Sequence, residues 1–209
     1  LGDRVIGETF IEGDWVILSN ADSIMDYQNT EPFSGEELKE INRKLVGVKE
    51  YLDERGIAFL VISPPNKNTI YPEYFPETIP VIGEQSRLDQ LIEYVGKHSD
   101  VKIADMRDAM MEYREEHQLY YATDTHWNPY GAWVGYRVIM EALKADFPGL
   151  EPHDLDDYMI VKKELLNGDT AMRLANVNVP EEFFYVALRE SGNSIQRIFQ
   201  KEDSFKRYL

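Results

Sequence analysis

Two periods govern where the apolar residues fall, and their alternation along the chain predicts most of its elements. "FIEGDWVILS" (10–19) is a short apolar, β-rich run after a Gly-Asp turn and predicts a strand. After a polar loop, Ser34 and Glu37 form an S-x-x-E capping box. Leu38, Ile41, Leu45, Val48 and Leu52 then follow at steps of three and four, which predicts a helix, and Gly56 closes it. "IAFLVIS" (57–63) shows no alternation, as expected of a strand buried on both faces of a parallel sheet.

The unit then repeats. Leu88, Leu91, Ile92 and Val95 mark a second amphipathic helix, "VKIADM" (101–106) a second internal strand, and a third helix runs to about Tyr113. Asn128 is a good N-cap with Pro129 at the first helical position, and a helix continues through Trp133, Tyr136, Ile139, Met140 and Leu143. Past about residue 147 the pattern thins. "NGDTAMRLANVNVP" (167–180) reads as a turn and short helix, and "EFFYVAL" (182–188) as a strand. Strand and helix alternate in the order of an α/β fold with a mainly parallel sheet, in one domain over 1–209. Ligands of such sheets bind where loops leave the carboxyl ends of strands, which singles out "SPPNKNTIYPEYFP" (63–76) and "YATDTHWN" (121–128).

Composition narrows the function classes. With 22 basic and 38 acidic residues the formal charge is −16, and no local basic patch offsets it, so a nucleic-acid partner is not expected. The absence of cysteine rules out disulfides, thiol catalysis and Cys-ligated zinc. No apolar run reaches the length of a membrane span, and no signal peptide is visible. The chain opens on Leu1 rather than Met, as a trimmed piece of something longer would.

Asp124 and His126 carry the candidate chemistry. A carboxylate that bonds an imidazole Nδ1 hydrogen fixes the tautomer and leaves Nε2 free as a general base. The spacing permits this without enforcing it, so the pair also reads as half a metal site or as an ordinary polar loop. A metal needs a further ligand, and His98, His117 and His153 lie in separate segments without ligand spacing. No metal and no cofactor are therefore expected. Trp127 supplies a flat apolar face on which sugar rings pack. A phosphate- or nucleotide-binding protein would need a Gly-rich loop after a strand, and there is none.

"TDTHWNPYGA" (123–132) and "RGIAFLVISPPNKNTIYPEYFP" (55–76) together resemble the SGNH-hydrolase-like proteins of the alginate O-acetyltransferase and DHHW group. "GETFIEGDWVILS" (7–19) is similar to that group's opening segment, and "NGDTAMRL" (167–174) to the block after its helix. The resemblance implies a three-layer SGNH- or flavodoxin-like sheet flanked by helices. It makes Asp124 the orienting acid and His126 the base of a Ser-His-Asp acyl-enzyme that adds or removes acetyl groups on a polysaccharide. Asn66 and Lys67 would line the site with Trp127 as substrate-binding residues. A membrane-bound acyl-transfer partner and a location outside the cytoplasm, at the cell surface or in the periplasm, are implied as well. The rival class is a non-catalytic module that binds glycan or a partner protein on the same scaffold.

The nucleophile is where the resemblance departs. The group's serine follows an apolar strand in a "D-S-F" type block, and the only similar tripeptide here is Asp203-Ser204-Phe205 in "RIFQKEDSFKRYL". Ser191 and Ser194, in "ESGNS", are weaker candidates, since that stretch reads as a plain turn. Two readings stand: Ser204 is the nucleophile, or the serine lies beyond a C-terminally truncated chain. The charged residues before Ser204 favour the second, because a nucleophile needs a strand to hold it.

Overall fold

The structure, a computed structural model, describes residues 4–6, 9–172 and 179–189. Gly13 decides the first element. Its φ of +57° is a left-handed value that favours glycine, and it breaks the expected single strand into a hairpin. Strands β1 (Arg4–Ile6), β2 (Thr9–Glu12) and β3 (Trp15–Leu18) form an antiparallel sheet in that order. Helix α1 (Ala21–Gln28) follows, capped by the Asn20 side chain.

The central repeat forms as its periodicity predicts. Helix α2 (Gly35–Asp53) starts at the reciprocal Ser34–Glu37 capping box and is followed by Gly56 at φ +66°. Strand β4 (Leu60–Ser63) pairs in parallel with β5 (Lys102–Asp105), registering Leu60 with Lys102 and Ser63 with Asp105. Between them lie the short helix α3 (Lys67–Ile70), a 3₁₀ turn (Pro72–Tyr74) and α4 (Arg87–His98), which Ser86 and Asp89 cap. Helices α5 (Arg107–Tyr113) and α6 (Pro129–Leu143) complete this part. Asn128 caps α6 with its side-chain oxygen accepting from Tyr130 N and Gly131 N.

Two expectations need correction. Strand β4 is not buried on both faces: Ile62 is 44% exposed, while Leu60, Val61 and Ser63 are half-buried. The strands also do not assemble into a mainly parallel three-layer sheet among these residues. Apart from β4–β5, their ladders are antiparallel, including β6 (Tyr158–Leu166) with β7 (Pro180–Leu188). Alternation in "YMIVKKELL" is too weak to mark β6 from sequence, and its full-length pairing with β7 supplies the missing order. Helix α7 (Asp169–Met172) sits between the two.

The core lies beneath the loop that carries Asp124 and His126. Ile70, Met106, Met110, Leu119, Tyr130 and Val134 are fully buried there, against Trp15, Tyr71 and Trp133. Burying a side chain of this size contributes roughly 1.5–3 kcal/mol. The floor of the site is thus the larger of the two buried clusters among the described residues.

Candidate functional site

The Asp124 loop is a closed Ω-shaped excursion rather than a free segment. Tyr120 and Trp127 form a β-bridge at its neck, and Tyr121 N donates to His126 O at 3.2 Å. Asn128 N donates to Leu119 O at 2.8 Å, which joins the neck to the start of α6. Gly131 lets the helix approach, since a Cβ there would run into the Leu119 carbonyl and stand 3.0 Å from Trp127 Cβ.

Within the loop, Asp124 and His126 meet. His126 Nδ1 lies 2.6 Å from Asp124 Oδ1, and His126 N donates to the same oxygen at 2.9 Å. The second carboxylate oxygen accepts from Asp169 N at 2.8 Å. Both Asp124 oxygens are therefore held, and with the Nδ1 hydrogen directed at Oδ1 the imidazole presents Nε2 outward. The His126 side chain is 72% exposed while that of Asp124 is 17% exposed, so a sheltered carboxylate orients an accessible imidazole. The hydrogen bond that His126 donates to Asp124 raises the His126 pKa above its ordinary value, against a smaller opposing effect of burial, and the Asp124 and Asp169 charges add to the rise.

Asp169 was not singled out from the sequence. It accepts Thr125 N at 2.7 Å and Thr125 Oγ1 at 2.6 Å, and its Oδ2 lies 3.7 Å from His126 Nδ1. Burial alone would raise its pKa, but the hydrogen bonds from Thr125 and Thr170 and the nearby His126 charge keep it below the usual carboxylate range. Asp124, His126 and Asp169 bring potential ligand atoms within 4.8 Å of one another, so the set is compact enough for a cation. Both carboxylates already accept N–H or O–H donors, however, which is the arrangement of an oriented imidazole. The signal for Asp169 lay in "NGDTAMRL", where Gly168 makes the approach possible. A Cβ on Gly168 would stand 2.5 Å from Asp124 Cβ and from the Thr123 backbone. Gly168→Ala should displace the loop and lower folding stability by about 2 kcal/mol, read by urea denaturation.

Two further side chains hold the loop from below. Glu181 on β7 accepts Ala122 N at 2.5 Å, Thr123 N at 2.9 Å and the Thr123 hydroxyl. Lys67, expected at the substrate, is instead 6% exposed. Its Nζ donates to Val16 O at 2.9 Å, Ala122 O at 2.8 Å and Asp124 O at 3.0 Å, and it stands 4.9 Å above the Trp15 ring. All three ammonium hydrogens are spent on the protein, leaving none for a ligand. Burial pushes the Lys67 pKa down to about 7, opposed by the Glu181, Asp124 and Asp169 carboxylates.

The other expected substrate residues part company. Trp127 is half-buried and packed on the core, and a Cβ on Gly135 of α6 would lie 3.0 Å from its ring. The indole therefore anchors the loop to α6 with part of its surface still exposed. Asn66 is exposed and donates to Asp26 Oδ2 at 2.7 Å. It lines two clefts, of about 400 and 480 Å³, at the end of β4. The smaller cleft reaches Thr125 and Thr170, beside the Asp–His pair. Ser204 lies outside the described residues, as do Ser191 and Ser194.

Comparison with known proteins identifies the family of the domain. A family model described as the SGNH hydrolase-like domain of acetyltransferase AlgX matches residues 15–198. A protein named "probable alginate O-acetylase AlgJ" from Pseudomonas putida is 25% identical over 156 residues, 74% of this chain and 36% of that protein. The chain thus spans little more than a third of that relative's length. The solved O-acetyltransferase domain of Pseudomonas putida AlgJ superimposes with a TM-score of 0.60 at 21% identity, over 86% of this chain and 64% of the other. Bacillus cereus PatB1, solved with a sulfonyl adduct, gives 0.57 at 18% identity, over 88% and 58%. These two likenesses concern the fold, and the match across residues 15–198 decides the family: the chain belongs to the SGNH hydrolase-like domains of the AlgX acetyltransferase family.

Proposed function

We propose that this domain adds or removes O-acetyl groups on a polysaccharide. The observation that carries the reading is the 2.6 Å contact between a sheltered Asp124 and an exposed His126, on either side of Thr125, which lines a cleft. In the proposed mechanism Asp124 fixes the Nδ1–H tautomer and stabilises the imidazolium, while Nε2 takes the proton of a serine hydroxyl. The serine attacks the acetyl donor, forming an acetyl-serine and releasing the donor's leaving group, which receives the proton from His126. His126 then deprotonates a sugar hydroxyl or water, which takes the acetyl group and regenerates the serine. Ser204 is the candidate nucleophile within this sequence, and a serine in a longer form of the protein is the alternative. Asn66 contacts the sugar from the cleft wall.

Family membership and the names of the relatives support a polysaccharide acceptor on an exported or cell-surface glycan. With that acceptor goes a location outside the cytoplasm and a membrane-bound protein that delivers the acyl group. Among the described residues no helix is long and apolar enough to cross a membrane.

The test is the pH profile of acetyl release from p-nitrophenyl acetate by the complete gene product. The base must be neutral to act, and the Asp124 hydrogen bond raises its pKa. Turnover should therefore rise with pH through a midpoint above the ordinary histidine value of about 6.5. Asp124→Asn removes the cause of the rise, so its midpoint should fall as its maximal rate drops. An unchanged midpoint in Asp124→Asn would remove His126 from the role of base.

A further inference from the structure

Asn68 lies at the base of both clefts and is 4% exposed, yet its Nδ2 has no hydrogen-bond partner. Buried amide donors are almost always satisfied, so an unpaired one beside a cleft points to an absent acceptor. The charges around it say what kind of molecule carries that acceptor. Asp22 and Asp26 stand exposed on the α1 side of the smaller cleft, and Asp124 and Asp169 lie behind Thr125. Among the described residues, the cations lining the two clefts are already matched. Lys67 gives its three hydrogens to backbone carbonyls, Arg87 pairs with Glu31 at 3.2 Å, and Arg107 pairs with Asp89 and Asp105 at 2.7 Å. A ligand with a carboxylate on every ring would meet more carboxylates than cations on and behind these walls, and each guanidinium there already faces a carboxylate.

We propose that the glycan bound in this cleft is an uncharged, hydroxyl-rich polysaccharide rather than a polyuronate. Asn68 and Asn66 donate to its ring or hydroxyl oxygens, and Asp22 and Asp26 accept from its hydroxyls. This separates the chain from the alginate named for its relatives, since alginate is a polymer of uronic acids. The inference rests on the reading of the domain as a polysaccharide-modifying enzyme and narrows its substrate.

The experiment is a titration of the isotope-labelled complete gene product, followed by amide chemical shifts. The probes are β-1,4-linked glucose, mannose and N-acetylglucosamine oligosaccharides on one side and mannuronate and guluronate oligosaccharides of equal length on the other. At least one neutral probe should shift Asn66, Asn68 and Thr125, and bind about tenfold or more tighter than either uronate at low salt. Asn68→Asp keeps the shape but removes the donor, and should weaken the neutral probe by about tenfold. Asp22→Asn with Asp26→Asn, both at exposed positions, should narrow the gap between neutral and uronate probes. Equal or tighter uronate binding, shifts that map elsewhere, or no binding by any neutral probe would overturn the proposal. Release of acetyl from p-nitrophenyl acetate needs no glycan. Loss of the substrate preference with His126-dependent turnover intact would thus fell this inference alone, and the reverse pattern would fell the catalytic reading.

Discussion

His126→Ala should lower acetyl-ester turnover by the complete gene product about a thousandfold or more, with folding stability unchanged within about 0.5 kcal/mol. The two halves of this expectation come from the same observation. The imidazole is 72% exposed, so removing it opens no cavity. Among the described residues its hydrogen bonds run only to Asp124 and Thr125 within its own loop. Its backbone N–H, which also bonds Asp124 Oδ1, survives the change. Steady-state kinetics and urea denaturation on the same preparations would check both. A variant that lost stability along with activity would make His126 a structural residue.

Lys67→Met should have the opposite signature, a loss of stability of about 2–4 kcal/mol that brings activity down with it. Methionine keeps the length of the stem but removes three donors, so Val16 O, Ala122 O and Asp124 O lose a buried partner together. Val16 belongs to β3, while Ala122 and Asp124 belong to the active loop, and one ammonium ties the N-terminal sheet to that loop. Ala122 O keeps a second donor in Val16 N at 2.9 Å, which is why the loss stays below the sum of three orphaned carbonyls. Urea denaturation would measure the change, and wild-type stability in Lys67→Met would show that the clasp does not bind the loop.

The fold was legible where a cap or a period marks an element. Ser34 with Glu37, Gly56 and Asn128 with Pro129 place α2 and α6 from the sequence, because local hydrogen bonds and backbone conformation decide those boundaries. Strand β6 was not legible, since its order comes from pairing with β7 and not from its own alternation. The same division runs through the site. Asp124 and His126 sit two positions apart and could be read as a pair, and the structure brings them together. Asp169 and Glu181 reach the loop only through the tertiary fold, from α7 and β7. Lys67 carried the right signal for importance and the wrong one for role. Residue type suggests a solvated cation at a strand end, and only the three converging carbonyls show that it faces inward. The seat of Trp127 was hidden for a similar reason, because Gly131 and Gly135 open space for it on α6 that no local pattern announces.

The central claim is that Asp124 and His126 activate a serine for acyl transfer. Its most direct test is the intact mass of the complete gene product after treatment with a sulfonyl fluoride, with peptide mapping of the adduct. The account predicts a single serine adduct that forms in the wild type and is lost in His126→Ala, and mapping will say whether that serine is Ser204 or lies later in the protein. No adduct, or one that forms equally well without His126, would contradict it.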